Sequence, residues 1–186
     1  MFVLPDVLHV ITLVLHILFA VIGVGSVTIV DYFHLIGLRS KRLEKRLVFI
    51  YPFLSRMIIG ALGGMFITGV LLVANKPELL SSSLFQLKMA LFLVIVVNGF
   101  FLHKHVSPNL TKCIENGKKY CTQKILWVSA ISGTISIVTW YSVFILALTK
   151  SYGYTLSNFL YAYITALAFV FLITLLTEKS ARKWRT

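Results

Sequence analysis

Acidic residues are scarce in this chain of 186 residues: six Asp and Glu stand against 18 Lys and Arg, and charged residues of every kind make up only 13%. That scarcity excludes an ordinary water-soluble surface, while 58% hydrophobic residues point to a polytopic membrane protein. Cysteine is nearly absent too. Cys113 and Cys121 are the only two, which excludes a disulfide framework, and their spacing matches no zinc or redox motif. The formal charge of +12 would suit a nucleic-acid binder, but the basic residues sit in short clusters between apolar runs of bilayer-spanning length. We therefore expect no nucleic-acid partner. Internal repeats, low-complexity stretches and a second domain are also missing, so residues 1–186 read as a single transmembrane helical domain.

Five apolar segments are present, at about residues 5–37, 48–74, 85–103, 125–148 and 159–176. Only helices and closed barrels satisfy their own backbone in lipid, and runs this long and this apolar are helices. The sequence thus predicts an all-α membrane protein, a bundle of five transmembrane helices. Between the segments lie RSKRLEKR (39–46), KPELLSSS (76–83), SPNLTKCIENGKKYCTQK (107–124), TKSYGYT (149–155) and the tail EKSARKWRT (178–186). Lys and Arg crowd the first, third and last of these. The positive-inside bias then puts the N-terminus outside and the C-terminus in the cytoplasm, in a bacterial or archaeal plasma membrane. The first segment lacks a basic n-region and a small-residue cleavage site, so it is expected to remain as a helix. The sequon at Asn109 falls on the cytoplasmic side of this topology and is not expected to be glycosylated.

Ionisable groups at membrane depth are costly and mark function by default. Few occur here: His9, His16, Asp31 and His34 on the first helix, Arg56 on the second, and Lys88 and His103 on the third. Residues seven apart on a helix face nearly the same way and rise about 10 Å, so His9 and His16 share a face. Two polar layers are expected, an outer one with His9, His16 and Lys88 and an inner one with Asp31, Arg56, His34 and His103. Plain structural roles exist for most of them. His9 and His34 suit an interface, with Asp6 one turn before His9 as its neighbour, Lys88 snorkels, and Asp31 and Arg56 are expected to form a buried ion pair. His16 lies too deep to snorkel, with no carboxylate at its own level, and must find a partner in the bundle as a ligand, a proton relay or an interhelical hydrogen bond.

Among ligands, porphyrin iron fits an imidazole in a bundle lined by Phe, Leu and small residues. The second helix supplies small residues in IIGALGGMFITG (58–69), where Gly60 and Gly64 form a GxxxG face suited to close packing or to a ring edge. Arg56 and Lys88 are candidates for pairing with haem propionates. His9 and His16 cannot both ligate one iron, so an outer haem needs Lys88, Met65, water or nothing as its second ligand. His34 and His103, on different helices, allow a bis-histidine site at the inner layer.

Three stretches, LHILFAVIGVG (15–25), GGMFITGVLL (63–72) and FQLKMALFLVIV (85–96), resemble the superfamily of small membrane proteins that includes HemJ-type protoporphyrinogen oxidases and CopD-like proteins. The likeness spans roughly the first three helices. It implies that His16, or His9 in its stead, matches the family's first-helix histidine and Lys88 its third-helix lysine, positions associated in the HemJ branch with haem binding and protoporphyrinogen oxidation. The first helix ends in DYFH (31–34) where that branch carries a PRLFVYH-like end, so a haem site carries over more readily than the oxidase activity.

Together these readings lead to the expectation of an integral membrane protein holding haem b, one or two groups, and transferring electrons within or across the bilayer. Membrane lipid, a quinone, another redox protein and further copies of the chain are the partners that fit. Two other classes compete: a copper- or proton-handling transporter built on the same histidines and inner charges, and a non-haem accessory subunit of a larger membrane complex.

Overall fold

The computed structural model describes residues 5–37, 41–109, 112, 122–148 and 155–183, with the side chains of 33–37, 41–49, 51, 123, 126 and 177–183 outside the description. Five long helices carry the fold: α1 (Asp6–Gly37), α2 (Lys41–Asn75), α3 (Ser83–Phe101), α4 (Gln123–Leu148) and α5 (Leu156–Lys183). Each contains a stretch long and apolar enough to cross a membrane, and no strand occurs among the described residues. This is the architecture of a multi-pass membrane protein. Several helices run past their apolar cores. α2 begins at Lys41 because Lys, Arg, Leu and Glu are good helix formers, yet its membrane-crossing stretch starts only at Pro52. α3 passes into a π turn at Leu102–Val106, and its membrane-crossing stretch extends to Asn109.

α1 and α2 form an antiparallel seam whose register is fixed by two polar contacts. His9 meets Asn75, and seven residues further along α1, His16 meets Thr68, seven residues earlier on α2. The same step carried on along α2 arrives at Ala61 and Leu54. Ala61 and Leu54 are indeed buried, at 2% and 6% exposure, as is Thr68 at 6%. A seven-residue repeat is what keeps two helices in contact along their length through a gentle left-handed supercoil.

α4 is the helix around which the others gather. Of the five membrane-crossing stretches it is the most buried, whereas nothing in that of α5 is buried. One cluster joins four helices: Val27 of α1, Met65 of α2, Ile95 of α3 and Trp140 of α4. α5 stays outside this cluster and packs against α4 through Thr139 to Tyr163 (3.0 Å), Thr134 to Thr174 (3.4 Å) and the tilted rings of Trp127 and Phe171. Buried hydroxyls are numerous on α4, with Ser129, Ser132, Thr134, Thr139 and Ser142 all on its packed faces. Lipid offers no water to a hydroxyl, so a threonine at this depth bonds back to its own helix. Thr12, Thr28, Thr68, Thr139 and Thr174 each donate to the carbonyl four residues earlier.

The α1–α4 contact depends on a missing side chain. Trp140 is 2% exposed, and its ring occupies the place where a Cβ on Gly23 would stand. By contrast, a Cβ on Gly25 would meet nothing within 4 Å. Gly23→Ala should therefore displace the indole and lower the melting temperature in detergent, by an amount corresponding to about 1–3 kcal/mol of overpacking. Gly25→Ala, two residues away on the same helix, should melt with the natural chain or slightly above it, since alanine is the better helix former; equal losses at both positions would show that the indole does not govern the site.

Candidate functional site at the seam of α1 and α2

Inside the seam, one hydroxyl proton decides the state of a histidine. Thr68 Oγ1 lies 2.6 Å from the Gly64 carbonyl oxygen, 3.3 Å from the Met65 carbonyl oxygen and 2.8 Å from His16 Nδ1. A threonine hydroxyl has a single proton, and carbonyls only accept. With that proton donated to Gly64, the contact with His16 is made by Nδ1–H donating to Thr68 Oγ1. Neutral imidazole protonated at Nδ1 carries its lone pair on Nε2, and among the described residues no hydrogen bond to Nε2 is seen.

His9 is held the other way round. Its Nδ1 accepts from Asn75 Nδ2 at 3.1 Å, so its proton sits on Nε2. Asn75, on the facing helix, takes the role expected of Asp6. The two histidines of LHVITLVLH thus share a face of α1 and turn the same Nδ1 edge to α2, but in opposite tautomers.

Lys88 of α3 lies within electrostatic range of the His16 ring, and Gly69 lets α2 pass close to it: a Cβ there would stand 3.5 Å from His16 Cε1. The remaining candidates separate. Met65 points into the core cluster, one turn from Thr68. Gly64 packs, since the Phe19 ring fills the place of its Cβ; Gly60 does not, with nothing within 4 Å, so the GxxxG face reduces to a single close approach. Arg56 is exposed, and its Nε donates to the Pro52 carbonyl at 3.3 Å. It lies about 18 Å along α2 from Thr68, too far to share a site with His16.

The ion pair expected between Asp31 and Arg56 does not form. Asp31 Oδ2 is buried without a hydrogen-bond partner, and Oδ1 faces Gly133 of α4. The reason is rotational: Asp31 sits on the face of α1 that packs on α4, while Arg56 lies on the outward side of α2. At the same end of the bundle, His103 is exposed in the π turn, beside Lys104 over the Phe100 ring and His105 stacked on Phe101. His34 lies on α1, but its side chain falls outside the described residues. No three His, Cys, Asp or Glu side chains come together as a metal-ligand set among the described residues.

Sequence spacing exposed one half of this site and hid the other. The seven-residue step from His9 to His16 was visible, and the matching Leu54, Ala61, Thr68 and Asn75 on α2 is the signal that would have supplied the partners. Comparison with known proteins adds no relative: no protein-family model matches the chain, and searches of curated proteins and of solved structures return no match.

The tautomers are directly measurable. Nitrogen-15 spectra of selectively labelled histidine should show His16 with an unprotonated Nε2 and His9 with an unprotonated Nδ1 in the cofactor-free protein. Thr68→Ser should keep the His16 pattern and Thr68→Val should mix or reverse it; an unprotonated Nδ1 on His16 in the natural chain would refute the assignment.

Proposed function

We propose that this chain is a haem b protein of the membrane, holding the iron on His16 and passing electrons within or across the bilayer. The observation that carries this reading is the Thr68 bond, which fixes the His16 proton on Nδ1 and leaves Nε2 as a neutral nitrogen lone pair at membrane depth. Imidazole in that state is the usual protein ligand of haem iron. The donor chemistry of the site therefore fits the group. Bound haem would supply one-electron chemistry, tuned by its axial ligand and by burial.

The chain's own groups have definite tasks in this reading. Thr68 holds the Nδ1 proton, orients the ring and raises the basicity of Nε2. Lys88 is the cation near His16 and the partner for a propionate, a role that the distance along α2 denies to Arg56. His9 stays with Asn75 near the end of the helix and does not ligate. The reading keeps the N-terminus outside and the basic segments in the cytoplasm of a cell membrane, with a quinone or another redox protein as electron partner. A haem iron needs only one or two protein ligands, which suits an isolated imidazole better than a copper site built from several donors.

The purified protein, expressed with haem supplied, should show a Soret band and split visible bands on dithionite reduction. His16→Ala should abolish or strongly shift these bands, and His9→Ala should leave most of the cofactor bound. Loss of haem on His9→Ala with retention on His16→Ala would move the ligand one heptad along α1; no effect of either would move the iron to His34 and His103. A colourless protein after haem loading would overturn the reading altogether. Orientation has its own check in a background lacking Cys113 and Cys121. Ser82→Cys should react with an impermeant maleimide in intact cells, while Ser40→Cys and Gly117→Cys should not.

A further inference from the structure

Asp31 is the acidic residue that sits within a membrane-crossing stretch away from its start, one residue before the stretch of α1 ends at Tyr32. Among the described residues, its surroundings provide none of the usual compensation. Oδ2 is buried with no hydrogen-bond partner, and Oδ1 looks onto Gly133, whose notional Cβ would stand 3.6 Å away. Asn98 of α3 aims its amide at the Ser132 carbonyl beside Gly133, donating to that oxygen at 2.9 Å.

Among the described side chains, charged groups on the neighbouring elements do not reach it either. On α2, Arg56 is exposed and bonded to the Pro52 carbonyl. The ionisable residues of α4 are Lys124 near its start, exposed, and Tyr141, whose hydroxyl meets Thr28 at 2.9 Å. Because Thr28 gives its own proton to the Val24 carbonyl, Tyr141 is the donor in that pair and has no proton left for Asp31. On α3, His103 is exposed, and on α1 the adjacent Tyr32 is exposed.

A carboxylate needs donors or a cation at such a position, whereas a carboxylic acid carries its neutraliser with it. We propose that Asp31 is a proton-binding site of the bundle, holding its proton in the seam between α1 and α4 and exchanging it with water at the basic end of the helices. The ligand is the proton itself. Gly133 is what admits the carboxyl group: with no side chain there, α4 closes over the neutral acid, and release of the proton requires water or a cation to enter between α1 and α4. One end of this contact thus has a proton-dependent packing, nearer the basic end of α1 than His16. The inference stands apart from the haem reading and is tested without cofactor.

Asp6 and Asp31 are the only aspartates of the chain, so Asp6→Asn leaves Asp31 as a single isotopic reporter. Infrared spectra of that protein in lipid bilayers, with aspartate carrying carbon-13 at the side-chain carboxyl, should contain the carbonyl stretch of a protonated acid. The band should shift down in heavy water and give way to carboxylate bands as the pH is raised. Asp31→Asn in the same background should remove the reporter and keep the helix content. Carboxylate bands alone throughout the pH range in which the protein stays folded would overturn the proposal. A neutral carbonyl that neither exchanges in heavy water nor responds to pH would overturn it equally, by showing a buried acid that binds no exchangeable proton.

Discussion

The arrangement of α1 and α2 rests on how one threonine spends one proton. In a water-soluble protein a solvent molecule would satisfy Thr68 Oγ1 and His16 Nδ1 alike, and their separation would carry little information. In lipid no such molecule is at hand, so the hydroxyl gives its proton to the Gly64 carbonyl and the imidazole gives its own to the hydroxyl. A single interhelical hydrogen bond of this kind contributes only about 0.6 kcal/mol on average to membrane helix association. Its greater effect is on register. Sliding the seam by one residue would strand both His16 and His9, and sliding it by seven would leave one of them without its partner. The apolar contacts at Ala61 and Leu54 follow from the polar ones, because the same seven-residue step serves both.

Much of this architecture was legible from composition alone. Five apolar runs were bound to become helices, since nothing else of that length satisfies its backbone in lipid, and their ends moved furthest where helix-forming basic residues continued past the apolar stretch, at the start of α2 and the end of α5. The site was less legible. His16 and His9 stood out as costly, but their partners Thr68 and Asn75 are uncharged and occur at ordinary frequency, so nothing local marked them. Asp31 and Arg56 failed as a pair for a related reason. Residue count gives depth but not azimuth, and opposite charges at one depth meet only if both helices turn those faces toward each other. The central place of α4 was not legible for a similar reason: its serines and threonines look unremarkable one by one, and only their burial identifies it.

His16 and Asp31 illustrate two solutions to the same problem. Each is a titratable side chain that α1 carries into the bundle, and each faces a glycine on its neighbour, Gly69 for the imidazole and Gly133 for the carboxyl. At His16 the facing helix also supplies an acceptor, which settles the ring in one tautomer and frees the opposite nitrogen. At Asp31 the facing helix supplies space and, among the described residues, no donor to Oδ2. A partner built into the fold makes a group rigid and directional, as a ligand must be. The absence of such a partner makes the group responsive to what the solvent brings, and α1 carries both conditions, one deep in the bundle and one near its basic end.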